Sequence, residues 1–326
     1  MNKNLKARIN QFAGLVQSCQ SSEDQTELMA DKFCGLQCLC SGKKPDHKGY
    51  KGWKAYLEKN ASFLQKENRQ MLPMVSWQMS MEPEPELFLK KLEDCCSLLE
   101  GGGFIPCSYL IIAAMYLARA KKQDELEEAC RRTRMLYQAM KKAHPFATDK
   151  EEYSVAAMLA ASGIKVPELQ QRFSRIEELL QKWIFRGGQL PAISNVILLF
   201  HVDDIALCER AINLSRVFQE KGYEFSSRSM AALLGLLSIS KETAPKLSDQ
   251  IIAAADYLKE QDGFGASCMN QKQWTALACS LYLSEGLEDG EEVMLSSVTV
   301  QSMTADYGTV LQTMFLSGIL SLSESS

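Results

Sequence analysis

Four side chains near the start of the sequence are of the types that bind soft metals. Cys34, Cys38, Cys40 and His47 give a C-x3-C-x-C-x6-H pattern, and three thiolates with one imidazole can hold zinc tetrahedrally. The spacing fits no common zinc knuckle. On a helix Cys34 and Cys38 share a face that Cys40 does not, so a cysteine-rich amphipathic helix accounts for the same residues without a metal. The adjacent Cys95 and Cys96 point apart on a helix and suit small core positions better than a redox pair.

Acid–base chemistry needs a group titrating near neutrality with a carboxylate in reach. Of the three histidines, His47, His144 and His201, His144 has Glu151 and Glu152 close behind it, and these three form the candidate catalytic set. Asp203 and Asp204 begin like a magnesium-binding aspartate run, but Leu207 stands where a third carboxylate is needed. Acidic residues at a helix N-terminus, favoured by its dipole, explain the pair. GGGF at residues 101–104 lacks the downstream Lys-Ser/Thr of a phosphate loop, and neither G-x-S-x-G nor H-E-x-x-H occurs. No cofactor is expected.

The elements that must position these residues follow a repeat. Six apolar positions, Phe104, Phe146, Phe185, Phe225, Phe264 and Met303, recur at intervals of 39 to 42 residues. Each precedes an uncharged segment rich in Ala, Leu and Met, such as YLIIAAMYLA from Tyr109 or YSVAAMLAAS from Tyr153. Between them lie charged segments with apolar residues three and four apart, the pattern of one-sided amphipathic helices. A helix that is apolar all round must be covered on most sides, so each unit is expected to pair an inner helix with an outer one.

Thr148 with Glu151 fits a capping box, and Ser226 or Ser227 can cap the inner helix that follows. Gly222 and Gly263 suit the left-handed residue that ends a helix. Residues 41–52 read as a linker, and residues 71–81 as an inner helix broken at Pro73. The expected fold is all-α, with six or seven antiparallel helix pairs of about 40 residues forming an α/α toroid or a curved solenoid. Residues 1–326 form one helical-repeat domain, in which 1–85 are atypical capping helices and 86–326 the regular pairs.

If the inner helices all run one way, the loops before them share one rim, where free N–H groups and helix dipoles converge. Thr148, Tyr153, Arg186, Gln189, Ser194 and Asn195 are the candidate ligand-binding residues of that rim, with Arg228 among its other polar side chains.

Composition bounds the partners. With 36 basic and 40 acidic residues the net charge is −4, which disfavours a nucleic-acid binder. The hydrophobic content of 46% excludes a disordered chain. Eleven cysteines in so long a chain, with no apolar leader behind Lys3, Lys6 and Arg8, point to a reducing cytoplasm. The uncharged runs at 101–118 and 307–323 are diluted by Ser, Gly, Thr, Pro or Gln and read as buried helices, not membrane spans.

Residues 140–160, MKKAHPFATDKEEYSVAAMLA, resemble the domain-of-unknown-function family 4003, found in low-GC Gram-positive bacteria. The shared pattern is M-K-x-x-H-P-F-x-T, two acidic residues, Tyr and an Ala/Leu helix. Residues 185–200, FRGGQLPAISNVILLF, resemble a second stretch of that family, with Pro191 and Asn195 standing where the family tends to have Gln and His. The resemblance implies no activity. The G-G-F loops more distantly resemble those of α/α toroids such as protein prenyltransferase β subunits and terpene cyclases, without the zinc-binding residues of the prenyltransferases. The expected function is a cytoplasmic binding or scaffold module using the rim or concave face, with an unidentified protein or small-molecule partner. The alternative is an enzyme with an apolar central cavity acting on a small or lipid-like substrate.

Overall fold

The computed structural model describes residues 1–19, 25–181, 188–200 and 203–285, and these form an all-helical structure without strands. Its α-helices are α1 (Lys3–Cys19), α2 (Gln25–Ser41), α3 (His47–Asn60), α4 (Leu72–Met81), α5 (Pro85–Gly101), α6 (Ser108–Ala120) and α7 (Leu126–Ala143). There follow α8 (Tyr153–Ser162), α9 (Val166–Gln181), α10 (Gln189–Ile197), α11 (Asp204–Glu220), α12 (Arg228–Leu237), α13 (Ala244–Lys259) and α14 (Gln271–Glu285). Phe185 and Met303 lie outside the described residues.

Two kinds of helix alternate, as the charge pattern requires. Every side chain of α8 from Tyr153 to Ala161 is buried, as is every one of α6 from Ser108 to Ala118. In α7 only Leu126, Ala129, Cys130, Thr133, Leu136 and Met140 are buried, a stripe at the three-and-four spacing of a one-sided helix. Each odd-numbered helix packs on the even-numbered one after it, and α5, α7, α9, α11 and α13 pack in series. Among the even-numbered helices α2 meets α4, α6 meets α8, and α10 and α14 both meet α12.

The first helix packs against the last two described. Arg8 Nε donates to Ser284 Oγ at 2.7 Å and the Tyr257 hydroxyl donates to Asn10 Oδ1 at 2.8 Å. The rings of Phe12 and Phe264, both fully buried, lie 5.7 Å apart. No described helix is long and apolar enough to cross a membrane.

Three expectations need correction. The linker ends early, because α3 starts at His47. Asp46 caps it, accepting from Gly49 N at 3.0 Å, and a Cβ on Gly49 would fall 2.5 Å from that carboxylate, so the glycine makes room for the cap. The helix is held by Tyr50 stacked on Trp77 at 4.1 Å. Pro73 does not break α4 but sits in its first turn, where a missing N–H costs nothing. Phe146, one of the recurring apolar positions, does not pack as Phe104, Phe225 and Phe264 do: those three are buried and it is fully exposed. Two residues later the buried Thr148 turns inward, its Oγ1 donating to Met140 O at 3.3 Å. Gly222 and Gly263 have the expected positive φ, 77° and 82°, and Ser227 Oγ accepts from Met230 N.

Candidate functional site

The starts of the largely buried helices α6, α8, α10 and α12 are linked by hydrogen bonds. Tyr153 at the head of α8 is buried, and its hydroxyl accepts from Ile105 N, in the loop before α6, at 3.2 Å. Gln189 Nε2 at the head of α10 donates to Ser226 O, before α12, at 2.6 Å. Arg228, the first residue of α12, reaches across to the loop before α8. Its stem runs over Gly188, where a Cβ would lie 2.9 Å from the arginine Cγ and Cδ. Glycine leaves the space the guanidinium stem occupies.

Arg228 ties a knot of acceptors. Nη1 donates to Asp149 Oδ2 at 2.9 Å, Nη2 to Ala147 O at 2.6 Å and also to Glu152 Oε1, while Nε lies 3.9 Å from Glu151 Oε2. The capping box is shifted one residue from the sequence expectation. Asp149 caps the turn, its Oδ1 accepting from Glu151 N, and Glu152 Oε2 accepts from Asp149 N at 2.8 Å. Both registers satisfy the pattern, and the inward-turned Thr148 and the pull of Arg228 select the second. Burial pushes the Glu152 carboxyl up to about 7, with Arg228 pulling it back.

The other end of the loop is tied to α9. His144 Nε2 is 2.9 Å and 3.0 Å from the two oxygens of Glu177, and its ring packs 5.2 Å from Phe173. Burial raises the Glu177 carboxyl while His144 opposes that rise. Lys141 Nζ donates to Thr148 O, and the amides of Ala147 and Thr148 both donate to His144 O. Residues 144–149 are thus held from α7, α9 and α12, and Phe146 projects fully into solvent from this fastened loop. On the neighbouring loop Ile105 is also exposed.

The structure therefore divides the candidate catalytic set: His144 is engaged with Glu177, whereas Glu151 and Glu152 face Arg228. Thr148, Tyr153, Ser194 and Asn195 are buried, and Ser194 Oγ donates to Leu190 O within its own helix. Among the described residues Asn195 has no hydrogen-bond partner at either end of its side chain. Arg186 and His201 lie outside the described residues. Cys34 and Cys38 share a face with their sulfurs 3.9 Å apart, and Cys38 lies 3.9 Å from Met81 Sδ. His47 turns away, its Nε2 against Ser18 O and its ring edge-on to Trp77. Among the described residues no three His, Cys, Asp or Glu side chains converge on a metal position. Asp204 pairs with Arg172, at 2.6 Å and 3.1 Å, and Asp203 caps α11.

A family model described as protein of unknown function, DUF4003, matches residues 20–306. The chain belongs to the DUF4003 family. The match includes the whole 144–149 loop, Arg228 and Glu177. No curated protein and no solved structure matches this DUF4003 member. Sequence reasoning missed two features of the site, Glu177 and the exposure of Phe146. The first falls on the charged α9 with nothing to mark it, but Pro145 directly before Phe146 signals a loop that leaves the helix axis.

Proposed function

We propose that this protein is a binding module, a closed ring of seven helix pairs whose rim loop 144–149 offers Phe146 to an apolar pocket on a protein partner. The observation that carries this reading is the complete exposure of Phe146 on a loop fastened by Arg228, His144 and Lys141. Aromatic side chains at the centre of an interface supply a large share of binding energy. A loop already held in one conformation loses little entropy on docking. Ile105 on the next loop is a second exposed apolar side chain.

Ring closure is supported by the packing of α1 on both α13 and α14 and by the alternation of buried and one-sided helices. The enzyme alternative is disfavoured because His144 and Glu152 are committed to different partners. A reducing, cytoplasmic setting fits the eleven cysteines, all free thiols and most of them buried.

The test places benzoylphenylalanine at position 146 in cells that make the protein. A discrete crosslinked heteromeric product is expected, absent when the photoreactive residue replaces Met135, which is exposed on α7. Phe146→Ala should then abolish co-purification of that product with a change in stability of no more than about 0.5 kcal/mol. The same products from both positions, or none from position 146, would contradict the reading.

A further inference from the structure

A groove separate from the 144–149 loop runs along the outside of α5. Its first part, about 730 Å³, is lined by Gly52, Trp53 and Tyr56 of α3 and by Glu86, Leu89 and Glu93 of α5, with Lys48 and Lys90 also on its walls. Its second part, about 600 Å³, is lined by Phe63 and Asn68 together with Glu93, Ser97 and Glu100 of α5. Glu93 lines both, so the two hollows adjoin on the outer face of α5.

Three features fix what it would take. Glu86, Glu93 and Glu100 are spaced seven residues apart and form an acidic stripe on one face of α5, roughly 20 Å long at 1.5 Å per residue. A stretched peptide of about six residues covers that length. None of the three carboxylates has a cation in ion-pairing range among the described residues. Partial burial and neighbouring Asp94 raise the Glu93 carboxyl above the ordinary glutamate range, a cost that a bound cation relieves.

At the deeper end lies Asn68, only 8% exposed. Its Nδ2 donates to Phe63 O at 3.0 Å, while its Oδ1 is buried with no hydrogen-bond partner among the described residues. An unpaired buried acceptor costs free energy that a donor from a ligand recovers. The deep end thus offers the acceptors Glu93, Glu100 and Asn68 Oδ1, with no Lys or Arg among the described residues that line it. The shallow end offers Trp53 and Tyr56, edge to face at 5.6 Å.

We propose that this cleft binds a short extended segment of another protein, seating an arginine guanidinium at Glu93, Glu100 and Asn68 and an apolar residue on Trp53 and Tyr56. Guanidinium supplies several donors in a plane, matching an end that holds acceptors, and an extended segment matches the length of the stripe. Lys48 and Lys90 at the shallow end set its direction, disfavouring a second cation there. The site involves none of the residues that fasten Phe146, so it stands or falls independently of the function proposed above.

The experiment selects a displayed hexapeptide library on the full-length protein, with Gly52→Leu protein as the comparison. A Cβ on Gly52 meets nothing within 4 Å, so the leucine projects into the cleft without disturbing α3. Recovered peptides should carry Arg at one register beside an apolar residue. A labelled representative should bind at least about tenfold more weakly to Gly52→Leu, and likewise to the isosteric Glu93→Gln and Glu100→Gln, by fluorescence anisotropy. Replacing its Arg by citrulline should lose binding to the same degree. Absence of Arg enrichment, undiminished binding to Gly52→Leu with both glutamine variants, or equal affinity for arginine amide alone would overturn the assignment.

Discussion

Glu152 combines burial with a direct bond to a guanidinium, and the balance is readable as pH-dependent stability. Asp149, Glu151, Tyr137 and Arg228 surround it, and burial raises its carboxyl from the ordinary 4.5 to about 7. Between those values the folded protein holds a proton that the unfolded chain has released. Stability therefore falls as pH rises through that window, by about 3 kcal/mol in all. Glu152→Gln should remove most of this slope when melting curves at pH 5 and pH 8 are compared; an unchanged slope would place the titration elsewhere. Arg228→Met should cost about 3 kcal/mol at pH 8, because it strands the buried carboxylate of Glu152 without its counter-charge. The combined Arg228→Met and Glu152→Gln protein should recover part of that loss, the sign of direct coupling. Hydrogen exchange gives a second reading, since the amides of Ala147 and Thr148 should exchange faster once the arginine no longer holds the loop.

At the scale of single elements, two glycines should respond in opposite senses. Gly235 lies where α12 meets α10, and a Cβ there would come within 3.0 Å of Val196 and 3.3 Å of Ile193 O. Gly235→Leu should cost about 2 kcal/mol in urea unfolding through overpacking. Gly52 faces open space on α3, and Gly52→Ala should instead stabilise by about 0.5 to 1 kcal/mol through helix propensity. Helix type was legible from the sequence because the difference between α7 and α8 is written in their charges. The start of α3 was not, since Gly49 and Gly52 carry the signature of a linker, and what makes them helical is the Asp46 cap and the contact of Tyr50 with Trp77. Phe146 misled for a related reason: residue type suggests burial, but the turn that begins at His144 hands the inward position to Thr148. Of the candidate site, the loop itself was found by its polar residues, whereas its fastening to Glu177 rests on contacts 33 residues apart that no spacing rule encodes.

Across the whole molecule, the proposed ring depends on the meeting of α1 with α13 and α14, which joins residues some 250 positions apart in sequence. Phe12 is fully buried against Phe264, and Phe12→Ala should cost about 3 to 5 kcal/mol and loosen α14 along with α1. In the proposed ring, closure would give the rim its rigidity, because an open array could splay at its ends and move the loops relative to one another. The most direct measurement is photo-crosslinking from benzoylphenylalanine at position 10 in dilute protein, followed by peptide mapping of the monomer band. The expected product joins position 10 to the peptide containing Tyr257 within one polypeptide. A product formed only between two chains, or none to residues 244–285, would contradict the closed ring.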